Sequence, residues 1–140
     1  MTRRMQVAVD CSDPERLAEF WADVLGYRVA DPPDHHLTWG AFSETEGSQP
    51  DERWCVIIDP DRNGPSLLFH SVPEQKQGKN RLHLDVWVDQ PDPSVPRHTL
   101  VEAEAERLRA LGAKHIRTRS DDGDFYMVMH DPEGNEFCIA

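Results

Sequence analysis

Apolar residues along this chain follow two rhythms, and each rhythm occurs twice. In "MQVAVDC", Met5, Val7, Val9 and Cys11 alternate with Gln6, Ala8 and Asp10, the period of a strand with one buried face. "SDPERLAEFWADVLG" then switches to helical spacing, with Leu17, Phe20, Trp21, Val24 and Leu25 on one stripe. Asp13 is placed to cap this helix, Pro14 to occupy its first position and Gly26 to end it in a left-handed conformation. "YRVA", "WCVIID" and "SLLFHSV" read as strands. A second round follows. "RLHLDVWV" reads as a strand, "PDPSVPR" as a link, and "HTLVEAEAERLRALG" as a helix with Leu100, Val101, Ala105, Leu108 and Leu111 on its apolar side. "AKHIRT", "DFYMVMH" and "NEFCIA" are its strands.

The joints agree as well as the rhythms. "VLGYRV" matches "ALGAKH", and each half closes on an Asp-Pro phrase, "IDPDRNGPSLLF" and "HDPEGNEFCIA". Asp can accept from nearby backbone amides, Pro fixes φ, and Asn or Gly accepts positive φ, so these phrases predict hairpin turns and not catalytic groups. The first half also carries an insertion over 31–53, a loop rich in Pro, Gly and acids in which "LTWGAF" is expected to form a strand. The fold expectation is α+β: two tandem βαβββ modules, 1–73 and 79–140, in a single domain spanning 1–140.

Strand alternation sorts the candidate chemistry by face. In "KNRLHLDVWV", Leu82, Leu84, Val86 and Val88 form the apolar set, expected to pack under a helix, against Lys79, Arg81, His83, Asp85 and Trp87. In the closing strands Leu67, Phe69, Phe137 and Ile139 are the core set, and Ser66, Leu68 and His70 correspond to Glu136, Cys138 and Ala140. A curled sheet would gather Gln6, Ala8, Leu68, His70, His83, Asp85, Trp87, Glu136 and Cys138 around a pocket suited to a small molecule.

Composition narrows the partners. With 140 residues, 38% hydrophobic and 29% charged, the chain is expected to fold as one domain with a real core. No apolar run is long enough to span a bilayer and the start lacks the apolar region of a signal peptide, so the cytoplasm is the expected location. A net charge of -11 argues against nucleic acid and anionic membranes; it reads first as a source of solubility, and in a sharper reading as a preference for cationic or neutral ligands. Cys11, Cys55 and Cys138 are odd in number and widely spaced, neither a disulfide framework nor a zinc knuckle.

Two βαβββ halves joined by "SDPERLAEFWADVLGYRV", "KNRLHLDVWV" and "DPEGNEFCIA" resemble the vicinal oxygen chelate superfamily, which includes glyoxalase I, bleomycin-resistance proteins and extradiol dioxygenases, and within it the glyoxalase-like domain branch. The resemblance implies a cupped mixed sheet with pseudo-twofold symmetry, a homodimer, and a divalent metal held by the first and last strands of each module. Carried over, the first-strand positions fall on Gln6 and His83, and the last-strand positions on Leu68 and Cys138. Leu68 cannot bind a metal and Cys138 is a soft donor. A two-residue shift of register would offer His70 and Glu136 instead.

Two functions therefore stand open. One is a binder of small molecules with no cofactor and an incomplete metal site, with Trp39, Trp87 and Tyr126 as aromatic walls and Gln6, His70, Arg81, His83, Asp85 and Cys138 as polar contacts. The other is a lyase, isomerase or dioxygenase using one divalent metal, with Glu136 as the catalytic base. Each polar candidate also has a bland use: His83 held by Asp85, Glu136 paired with Arg81 or Lys79, His130 paired with an acid.

Overall fold

The structure, a computed structural model, describes residues 1–121 and 123–140. The chain forms two compact units, Met1–Gln75 and Lys76–Ala140. The first contains β1 (Gln6–Cys11), α1 (Pro14–Leu25), β2 (Arg28–Val29), α2 (Trp39–Glu46), β3 (Trp54–Ile58) and β4 (Ser66–Ser71). The second contains β5 (Asp85–Val86), α3 (Arg97–Ala110), β6 (Lys114–Asp121), β7 (Asp124–His130) and β8 (Glu136–Ile139). Each unit holds one four-stranded mixed sheet, ordered β1-β4-β3-β2 and β5-β8-β7-β6. In each, the first strand runs parallel to the last, and the other pairs are antiparallel. The architecture is the expected α+β repeat.

In the first unit α1 lies on β3 and β4. Asp13 caps it by accepting from the Arg16 amide, and Gly26 ends it at φ 67°. Leu17, Phe20, Trp21 and Val24 meet Cys55, Ile57, Leu67 and Phe69, all buried. In the second unit α3 lies on β6, β7 and β8, and Val101, Ala105 and Leu108 meet Met129, Phe137 and Ile139. Burying one such large side chain contributes about 1.5–3 kcal/mol, so these two apolar layers dominate the stability of their units.

The Asp-Pro phrases are turns in both units. Asp59 accepts from the amides of Asp61, Asn63 and Gly64. Asp131, almost fully buried, accepts from the amides of Glu133 and Asn135 and from the Asn135 side chain, while Gly134 takes φ 84°.

Three local expectations are corrected. "LTWGAF" belongs to a helix, not a strand: Thr38 caps α2 by accepting from Ala41 N–H, and capping chemistry outweighs the β-prone aromatics. "RLHLDVWV" supplies only Asp85–Val86 as a strand, because its one sheet neighbour is the four-residue β8. Leu82 is consequently 86% exposed and not packed under a helix.

Candidate functional site

The second unit carries a cavity of about 740 Å³ on the sheet face opposite α3. Strand register builds it row by row. In the middle row Asp85 pairs with Cys138, Cys138 with Val128, and Val128 with Arg117, and all four line the cavity. On one side lie Trp87, Ala140 and Tyr126, with Ala140 held beside Trp87 by main-chain bonds to Val86 and Val88. On the other lie His83, Glu136 and His130. Phe125, Ile116, Lys79, Arg97 and Asp124 complete most of the rim.

Aromatic and charged groups thus share one hollow, and their partners differ. His83 sits 3.3 Å from Asp85. The Cys138 thiol also bonds to Asp85, and its pKa is raised, first by burial and then by the Asp85 charge and hydrogen bond, against the opposing pull of Arg117 and Lys79. It is a thiol, not a thiolate, at neutral pH. Glu136 is occupied: it accepts from Asn80 N–H at 2.9 Å and pairs with Lys76 at 3.4 Å, with His130 at 3.8 Å. Burial pushes its carboxyl up, but the amide bonds from Asn80 and its own residue, with Lys76, outweigh that and hold it below the ordinary value. Its cation is therefore Lys76, not the expected Arg81 or Lys79. Arg97 donates to the carbonyl oxygens of Val88 and Ala140, tying the last strand to the start of α3.

Of the residues singled out from the sequence, His83, Asp85, Trp87, Tyr126, Glu136 and Cys138 come together here, and Arg81 is exposed outside the lining. The others belong to the first unit. The Gln6 amide donates to Ser66. His70 bonds Glu52 at 2.9 Å and stacks on Trp54 at 5.4 Å. Trp39 donates to the Ala30 carbonyl and meets Phe42 edge-on. Arg117, Ile116, Arg97 and Phe125 were not foreseen. A bulge between His115 and Arg117 breaks the alternation of β6 and turns both Ile116 and Arg117 to the cavity.

His83, Asp85 and Cys138 offer ligand atoms that all lie within 4.8 Å of one another. One imidazole, one carboxylate and one thiol do not make the oxygen-rich set that suits Mn or Mg; they fit zinc, with Cys138 giving up its proton on binding.

The glyoxalase-like domain model matches residues 6–140. The chain belongs to the glyoxalase-like domain family, within the vicinal oxygen chelate superfamily. The fosfomycin resistance protein FosX from Mesorhizobium loti has a similar fold, with TM-score 0.65 and 15% identity over 99% of this chain and 90% of that one. A variant of FosX from Listeria monocytogenes, complexed with Mn(II) and 1S,2S-dihydroxypropylphosphonic acid, gives TM-score 0.65 and 11% identity over 99% and 91%. A glyoxalase/bleomycin resistance protein/dioxygenase family enzyme from Burkholderia phytofirmans PsJN gives TM-score 0.62 and 18% identity over 96% and 94%. These identities establish a shared fold. No curated protein matches the chain in sequence. Among the described residues no helix is long and apolar enough to cross a membrane.

Proposed function

We propose that this glyoxalase-like protein binds a flat, largely apolar organic molecule in the cavity of its second unit, without a resident metal ion. The observation that carries the reading is the cavity itself: about 740 Å³, walled by Trp87, Phe125, Tyr126, Ile116 and Val128, with polar groups gathered at His83, Asp85 and Cys138. That volume and mixture suit a drug-sized ligand, the aromatic walls supplying area and the polar groups orientation. His83, steered by Asp85, is placed to hydrogen-bond the ligand. Glu136 shapes the rim through Asn80 and Lys76. The Mn(II) of the Listeria FosX complex is a property of that protein.

A second reading is favoured by the three clustered donors. A zinc ion held by His83, Asp85 and Cys138 would leave a coordination position for substrate and would polarise a bound oxygen. Here His83 and Asp85 would hold the metal, and the aromatic walls would orient the substrate and exclude water.

Metal analysis of protein purified without chelator separates the two, combined with calorimetric titration of naphthalene-sized ligands. Binding at micromolar affinity with metal far below stoichiometric supports the first reading. Stoichiometric zinc, lost in His83→Ala, supports the second and overturns the first.

A further inference from the structure

Resting on that binding reading, we infer that the ligand carries an anionic group, a carboxylate or a phosphate-like oxyanion, held by Lys79 and Arg117. The overall charge of -11 points the other way, toward cations. The cavity departs from that average. Its lining contains Lys79, Arg97 and Arg117 as permanent cations against Asp85, Asp124 and Glu136 as acids.

The partners decide which of these charges remain for a ligand. Glu136 is taken by Asn80, Lys76 and His130. Asp85 lies 3.3 Å from the His83 imidazole and acts on the Cys138 thiol. Arg97 is spent on two main-chain carbonyls. Lys79 and Arg117 take part in none of the ion pairs or side-chain hydrogen bonds among the described residues. Both line the cavity, and both charges act on the Cys138 thiol that lines it with them. The register of Arg117 with Val128 sets it in the same row as Cys138 and Asp85.

Two cations on the lining of one apolar-walled hollow, with no side-chain partner among the described residues, make that hollow attractive to an anion. Arg offers a planar fork that grips a carboxylate or phosphate with two parallel hydrogen bonds, and Lys adds a point charge. Among the described residues Asp124 is the lining acid that takes part in no ion pair or side-chain hydrogen bond; it sits at the start of β7, four residues from the Val128 level that pairs with Arg117.

The test uses the whole chain and three ligands with one aromatic body: 2-naphthylacetate, 2-naphthylethanol and 2-naphthylmethylamine, titrated by calorimetry at low and moderate salt. The anion is expected to bind about tenfold tighter than the neutral alcohol, with the ammonium weakest. In Arg117→Ala with Lys79→Ala that preference should fall to about threefold or less, with the circular dichroism spectrum unchanged. Inorganic phosphate competing with the anion but not with the alcohol would add support. Equal affinity for all three ligands, or a preference that survives in the double variant, overturns the anion assignment and leaves the binding reading standing. Failure of all three to bind overturns both.

Discussion

The two sheets share a topology and differ in what they show on the face away from their helix. In the second unit the middle row reads Asp85, Cys138, Val128 and Arg117. The equivalent row of the first unit reads Ala8, Leu68 and Val56. A charged pair flanking a thiol corresponds to three apolar side chains. The row nearest α2 pairs Asp10 with His70 and His70 with Trp54, and there His70 is bonded to Glu52 and stacked on Trp54. One copy of the module ties its Gln6 and His70 to neighbouring side chains, and the other carries Lys79 and Arg117 on the lining of a hollow with no side-chain partner among the described residues. Repetition of a fold therefore does not repeat its chemistry.

The helix-facing sides of the sheets are where the copies stay alike, and disturbing them should have the largest effect. Phe69 follows Leu68 in β4 and Phe137 precedes the equivalent Cys138 in β8, so they sit one step to either side of the matching row, both on the helix-facing side and both fully buried. Phe69→Ala and Phe137→Ala are each expected to cost about 3–5 kcal/mol, read by urea unfolding. If one of the two costs less than about 1 kcal/mol, the copies do not share the same kind of core.

The open faces should separate where the cores do not. Trp87 is 75% exposed on the cavity rim, whereas Trp39 is fixed by its bond to the Ala30 carbonyl and by Phe42. Trp87→Ala is expected to weaken 2-naphthylacetate binding about tenfold, and Trp39→Phe to change it by about twofold at most. A reversed order would move the ligand site to the first unit.

The same contrast shows how far the sequence could be read. The periodicities located α1, α3 and most strands, because a buried face leaves a regular apolar trace. The alternation placed His83, Asp85, Trp87, Glu136 and Cys138 on one face of the second half. It failed where a single residue breaks the period: the β6 bulge hid Arg117 and Ile116. It failed again at α2, where one capping Thr38 decides the local structure against β-prone neighbours. Net charge leaves no such positional trace. A net value averages over the surface, and the ligand meets only the groups whose partners are not already chosen.

Closed polar groups should report themselves through pH. The bond from His70, then the amide and hydroxyl of Ser48, lower the Glu52 carboxyl from the ordinary 4.5 to about 2. A depressed carboxylate pKa contributes stability that is fully present above about 4.5 and fades as pH falls toward about 2. Glu52→Gln should therefore be less stable than the parent at neutral pH, with the difference shrinking across that window, as followed by thermal melts at stepped pH. A constant difference down to the lower end would mean that Glu52 is not held by His70 in the folded state.

The smallest effects distinguish the two long helices. α1 is capped at both ends, by Asp13 and Gly26. α3 starts at Pro96 with no side-chain cap and instead carries Arg107–Glu104 and Arg109–Glu106 pairs on its exposed side. A cap satisfies a backbone amide that otherwise lacks a partner, whereas an exposed ion pair exchanges one solvated arrangement for another. Asp13→Ala is expected to cost about 1 kcal/mol, and Arg109→Ala less than about 0.5 kcal/mol, both by urea unfolding. Pro96→Ser would supply α3 with the hydroxyl that α1 has in carboxylate form, and a gain of a few tenths of a kcal/mol is expected. If Pro96→Ser destabilises instead, the fixed φ of proline at the start of α3 matters more than the missing cap, and the two helices begin by different physical means.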